Sequence, residues 1–179
     1  MFSKFTIGFF VLISLSTSTQ EKEVFHEGPV ISGFGKIASV DADMKLNSQT
    51  KLKLCFDVAD KSNRSINQTF DSAARFINLN VESGAEAKNI SVAIVIHGSA
   101  AIDVTKPEFY AEANDGKVNP NVDVIAELQK HRTTIYLCGQ TAAWRGIEKA
   151  DLLPGVQMAP SAMTAHALLQ QDGFSLNPF

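Results

Sequence analysis

Apolar and polar positions follow two rhythms along the chain, and they alternate. Lys51–Val58 (KLKLCFDV) alternates at first and then turns apolar, which reads as a strand. Ser62–Val81 repeats apolar residues at helical spacing, with Ile66, Phe70, Ala73, Ala74, Ile77 and Val81 on one face. Ser62 or Asn63 is placed to cap that helix and Gly84 to end it. Ser91–His97 (SVAIVIH) is continuously apolar up to its final residue, as in a strand covered on both faces. A polar excursion, 103–118, follows. Asn119-Pro120 then opens a helix through Lys130, with Pro120 in its first turn. Thr133–Cys138 reads as a third buried strand and Thr141–Lys149 as a short helix. Pro154 precedes a short strand, Val156–Ala159, and Ala162–Gln171 is a last helix stopped by Gly173. Strands that alternate with helices in this way predict an α/β fold, a mainly parallel sheet of four to five strands with crossover helices on both faces.

The first residues break this rhythm. Met1–Ser18 (MFSKFTIGFFVLISLSTS) has one early lysine, an apolar run from Phe5 to Leu15 and then small hydroxyl residues. That is the three-part layout of a secretory signal peptide. The run is too short for the ~20 apolar residues of a membrane span. The expectation is a cleaved leader over 1–18, secreted or periplasmic localisation and no stable membrane span afterwards. Residues 19–50 form an N-terminal arm punctuated by Gly28, Pro29, Gly33 and Gly35. Val30, Ile31, Phe34 and Ile37 give the arm something to pack, and residues 51–179 form the α/β domain. GPVISGFGK within the arm lacks the lysine that a phosphate-binding loop needs after its second glycine, since Phe34 stands there.

Composition narrows the function classes. The 179 residues suit one domain, and 45% apolar with 20% charged residues suits a globular one. A net charge of −3 gives no electrostatic basis for nucleic-acid binding. Two cysteines, Cys55 and Cys138, are too few for a disulfide-stapled fold or a four-cysteine zinc site. His26, His97, His131 and His166 lack metal-ligand spacing, so no metal and no cofactor is expected. The Asn-x-Ser/Thr triplets at Asn63, Asn67 and Asn89 would matter as glycosylation acceptors only in a eukaryotic secretory route.

In open α/β sheets ligands gather beyond the carboxyl ends of the strands. Asp57 and Asp60, His97-Gly98, Cys138-Gly139-Gln140 and Pro160-Ser161 are delivered there. Cys138, on a strand-to-helix turn, would feel the positive end of the next helix, with Arg145 adding to that field and Gly139 leaving the sulfur open. The alternative is a small apolar residue ending a strand. Cys55 sits three residues before its strand's end, about 10 Å below that edge at ~3.3 Å per residue. A disulfide with Cys138 is therefore not expected, and core packing is. His97 is a base or hydrogen-bond partner for Cys138, or it merely ends its strand on a backbone carbonyl. Arg145 holds an anion or is simply solvated. Asn119 caps a helix or belongs to the site.

FDVAD (56–60), VIHGSA (95–100), NPNVDVIAELQK (119–130), CGQTAAWRGI (138–147), DLLPGV (151–156) and SAMTAHALLQQDGF (161–174) together resemble the DsrE/DsrF-like family over Lys51–Phe179. The resemblance implies a three-layer α/β/α fold, often assembled as homo-oligomers, trimers or hexamers. In sulfur-relay members a cysteine follows a strand and an Arg-Gly pair comes seven residues later; here these are Cys138 and Arg145-Gly146. The carry-over makes Cys138 a persulfide-bearing acceptor. His97 and Gln140 look like features of a secreted, CGQ-bearing subgroup. The leader and the arm depart from the cytoplasmic pattern.

Two readings follow. In one, a sulfur carrier or sulfurtransferase holds sulfane sulfur on Cys138, with Arg145 and helix amides steadying the anion, His97 tuning protonation, and a sulfur compound or protein as donor and acceptor. In the other, the pocket around His97, Gly98, Asn119, Cys138, Gly139 and Gln140 binds a small molecule or a partner protein without catalysis. A thiol–disulfide enzyme is a weaker third reading, for want of a Cys-x-x-Cys pair.

Overall fold

The computed structural model describes residues 24–62 and 65–177; the proposed leader and Asn63 lie outside them. Five strands form one wholly parallel sheet: β1 (Leu52–Val58), β2 (Ile90–Ile96), β3 (Thr133–Cys138), β4 (Gln157–Ala159) and β5 (Ser175–Asn177). Their order is β4-β3-β2-β1-β5. The helices are α1 (Gln68–Glu82), α2 (Pro107–Ala113), α3 (Val122–Lys130), α4 (Gly139–Arg145) and α5 (Ala162–Gln171).

This order decides which face each helix covers. From β1 to β4 the chain steps across the sheet in one direction, and from β4 it crosses back to β1's far side. Right-handed crossovers put helices from opposite steps on opposite faces. The two hydrophobic clusters match. Phe56, Val58, Ile94, Ile96, Ile135 and Leu137 meet Phe70, Ile77 and Leu128 from α1 and α3. On the other side Cys55, Ala93 and Val95 meet Ala165 of α5 in a smaller cluster. Adjacent strand residues thus serve opposite cores, as the two-residue period requires. Asp57, His97 and Cys138 share the parity of the α5 face.

Helix boundaries shift where side chains compete for backbone groups. α1 starts at Gln68 rather than Ser62, because Asn67 is the residue whose side chain accepts from the Thr69 N–H. Ser62 instead gives its own N–H to Asp103. Asn67 is buried, donating to Asp60 O and Asp103, so its glycosylation triplet is inaccessible. α3 begins at Val122, after Pro120, since the Asn119 side-chain Oδ1 turns the chain by accepting from Asn121 N. α4 begins directly after β3, at Gly139, and ends at Arg145 with Gly146 as its C-cap, four residues short of the expected Lys149. A 3-10 helix, Gly98–Val104, leads from β2 into the polar excursion, which holds α2, opening on Pro107. β5 is a short, polar strand that apolar periodicity passes over.

Residues 24–50 lie against α1 with little regular structure. Ile31 and Ile37 are fully buried there, and Val30 and Phe34 pack on the main core. Asn78, on the buried face of α1, holds the arm in place. Its carbonyl oxygen accepts from Val30 N and Ile31 N, and its amide donates to Ile31 O, Phe34 O and Gly35 O.

Candidate functional site

Three neighbouring strands deliver Asp57, His97 and Cys138 side by side at the carboxyl edge. β2 and β3 pair through Ile96 and Leu137, so the next residues, His97 and Cys138, face each other across strands about 4.8 Å apart. α5 roofs this row and contributes Ser161, Ala162, Met163 and His166. With Gln140 and Thr141 these residues line a pocket of about 330 Å³.

Cys138 is only 6% exposed and stands at the N-cap position of α4. Burial pushes its thiol pKa up, but nearby N–H and O–H dipoles outweigh that and bring it below the usual thiol range. These are the N–H and hydroxyl of Thr141 and the N–H groups of Ala162 and Gln140, which surround the sulfur although Cys138 makes no side-chain capping hydrogen bond to α4. The first turns of α4 and α5 therefore converge on one sulfur. Gly139 makes this possible for a reason other than open access. A Cβ there would lie 2.6 Å from Ala159 O, so only glycine lets the β3–α4 turn pass beside β4. Gly98 has a positive φ of 57°, and its Cβ would lie 2.7 Å from Ala59 O.

Asp57 joins two histidines. Its Oδ2 meets His97 Nε2 at 3.1 Å and its Oδ1 meets His166 Nε2 at 2.7 Å. Partial burial pushes the carboxyl pKa up, yet the bonds from His166 and His97 outweigh it and hold the group below its ordinary value. An ionised carboxylate only accepts, so both Nε2 atoms carry hydrogen. The Cys55 thiol has two acceptors in reach, His166 Nδ1 at 3.5 Å and Phe56 O at 3.8 Å. Burial, aided by the Asp57 charge, pushes Cys55 up to about 12, so it stays a protonated thiol. Both cysteines are free.

Cys138, His97 and Gln140 thus meet in one pocket, where Gln140 Nε2 donates to Pro160 O. Gly98 and Gly139 shape the loops around it. Arg145 does not line it: its Nε donates to Gly98 O, and its guanidinium lies 5.2 Å from the Trp144 ring beside a second cavity. Arg145 therefore acts on the loop after His97. Asn119 is buried elsewhere, donating to Asp103 O and Thr105 O, which makes it a fold residue. Asp60 also lies away from this pocket. Sequence reasoning missed Thr141, Met163 and above all His166. The signal for His166 is topological. Once β5 is seen to pair with β1, α5 must cross the face that carries Asp57. Among the described residues no cluster of three His, Cys, Asp or Glu residues is arranged to hold a metal ion.

The arrangement defines a class: an open parallel α/β sheet with a cysteine lining a pocket at its carboxyl edge. Residues 65–178 match the model of the DsrE/DsrF-like family, and the chain belongs to that family. Among solved structures it is similar to a protein of unknown function from Methanobacterium thermoautotrophicum. That match has 16% identity and a TM-score of 0.51, covering 71% of this chain and 98% of the other. It is also similar to the ychN protein from E. coli at 16% identity and TM-score 0.52, covering 70% and 96%. At this identity both likenesses concern the fold. No curated protein matches the chain.

Proposed function

We propose that this protein is a sulfur carrier in which Cys138 accepts sulfane sulfur as a persulfide and passes it to a partner thiol. The observation that carries the reading is the place of Cys138, a free cysteine at the junction of β3 and α4 that lines a pocket with His97, Gln140 and Thr141, where nearby N–H and O–H dipoles favour thiolate. The sulfur-relay members of the family support it by resemblance. The step is an exchange: the thiolate attacks the outer sulfur of a donor, the donor's S–S bond breaks, a new S–S bond forms on Cys138, and the donor leaves as a thiolate. Following the leader pattern and the family, we place this chemistry outside the cytoplasm in a homo-oligomer, a trimer or hexamer.

Incubation with polysulfide tests acceptance. Wild type and Cys55→Ser are expected to gain about 32 Da per sulfur added to a thiol, and Cys138→Ser none. An equal gain in Cys138→Ser would show that the sulfur resides elsewhere. A ligand-induced rise in melting temperature that survives Cys138→Ser, without any mass gain in wild type, would favour the binding-module reading instead.

A further inference from the structure

The doubly bridged Asp57 and the roofing His166 have no part in holding Cys138, and each carries a hydrogen bond that a merely structural edge would not need. Asp57 fixes His97 through Nε2, so any proton His97 exchanges with the pocket passes through Nδ1. Among the described residues His97 Nδ1 has no protein hydrogen-bond partner, and the side chain is a third exposed, lining the same pocket as Cys138. His166 closes the far side of the carboxylate at 2.7 Å, and its own Nδ1 faces the Cys55 thiol. The charged and titratable groups around His97 are therefore Asp57 and Cys55 on β1, Cys138 on β3 and His166 on α5, with Arg145 of α4 bonded to the carbonyl of the next residue. The row across the edge reads thiol, imidazole, carboxylate, imidazole.

We propose that His97 is the proton donor for the thiolate expelled when Cys138 takes sulfur, and that Asp57, itself held by His166, is the positioning residue that keeps His97 competent. This rests on the sulfur-carrier reading. For an alkyl hydropersulfide R–S–SH, Cys138–S⁻ bonds to the outer sulfur while the donor S–S bond breaks. The departing R–S⁻ takes the proton from the His97 imidazolium, giving Cys138–S–SH, R–SH and neutral imidazole. Charge and atoms balance, and no oxidant or reductant enters. An alkyl thiolate is a basic leaving group and gains most from such a donor. Thiosulfate, which leaves as sulfite, needs no proton to depart.

The test is single-turnover sulfur transfer to the full chain from glutathione hydropersulfide and from thiosulfate, followed by intact mass across pH 5–9. In Asp57→Asn the hydropersulfide rate is expected to fall by about 10²-fold relative to wild type, within the range for lost general-acid catalysis. The thiosulfate rate is expected to stay within a few-fold of wild type, which also reports an intact Cys138 pocket. His97→Gln is expected to reproduce both effects, and His166→Gln a weaker version. If Asp57→Asn and His97→Gln load from hydropersulfide at the wild-type rate and with the wild-type pH profile, the proton-donor role is wrong and the carrier reading stands. An equal loss with both donors also overturns it, because it marks a structural effect. If wild type takes sulfur from neither donor, the carrier reading and this role fall together.

Discussion

At the scale of single residues, two thiols of one chain are driven apart by their surroundings. Cys55 has apolar neighbours and a carboxylate two residues on, so burial and like charge both disfavour its thiolate. Cys138 is also largely buried, but the nearby N–H and hydroxyl of Thr141 and the N–H groups of Ala162 and Gln140 reverse the sign. Iodoacetamide should therefore alkylate Cys138 with a midpoint below the ordinary thiol range, while folded Cys55 stays unmodified until near pH 12 or until the chain unfolds. Peptide mapping after timed labelling reads both, and equal labelling of the two would contradict the assignment. Thr141→Val deletes the hydroxyl donor but keeps the N–H, and should raise the Cys138 midpoint by part of the difference. Much of this was legible in the sequence, because Cys138 falls where a strand meets a helix. Thr141 was not, because its role depends on a hydroxyl that turns back one helical turn onto the sulfur.

At the scale of elements, α1 and α5 show what periodicity reveals and what it hides. The apolar face of α1 is plain from Phe70, Ala73, Ala74 and Ile77. Asn78, polar on that same buried face, reads as an exception to the pattern until the arm is in place. It then satisfies five backbone groups of residues 30–35. Asn78→Ala would leave several of these unpaired, at about 1–3 kcal/mol for each group that stays buried without a partner. We expect urea unfolding to show a loss of about 3 kcal/mol or more and the arm to become sensitive to protease. Unchanged stability would mean that these hydrogen bonds do not hold the arm against α1. His166 was hidden for a different reason. α5 could be read as a helix, but its face depends on where the chain goes next, and β5 is too short and polar to announce itself.

At the scale of the whole molecule, two carboxylates give opposite pH dependences. Asp57 is held below its ordinary value of 3.8, so its contribution is present above about pH 4 and is lost as pH falls through the folded value. Asp103 is fully buried; burial raises its pKa, although Asn67 and Ser62 bond to it and Lys61 lies near. Its contribution is present below 3.8 and is lost as pH rises through the raised folded value. Asp103→Asn keeps an acceptor for Ser62 and Asn67, so its stability relative to wild type should improve as pH rises above about 4, whereas Asp57→Asn should be relatively most stable in acid. Chemical denaturation between pH 3 and 7 separates the two slopes, and parallel curves for both variants would refute them. The sheet order, too, is a whole-molecule property. Alternating strands and helices give the α/β class, but only the return of the chain to β1 puts α5 over the Asp57 face and closes the pocket.

Transfer out of the loaded protein decides whether Cys138, as we propose, both takes and gives sulfur. Wild type would be loaded from polysulfide, freed of donor and mixed with a small thiol. Intact mass should show the added mass of about 32 Da per sulfur leaving the protein as the thiol gains it, with the lost sulfur mapped to the Cys138 peptide. Sulfur that stays on the protein, or that is mapped to Cys55, would contradict the account.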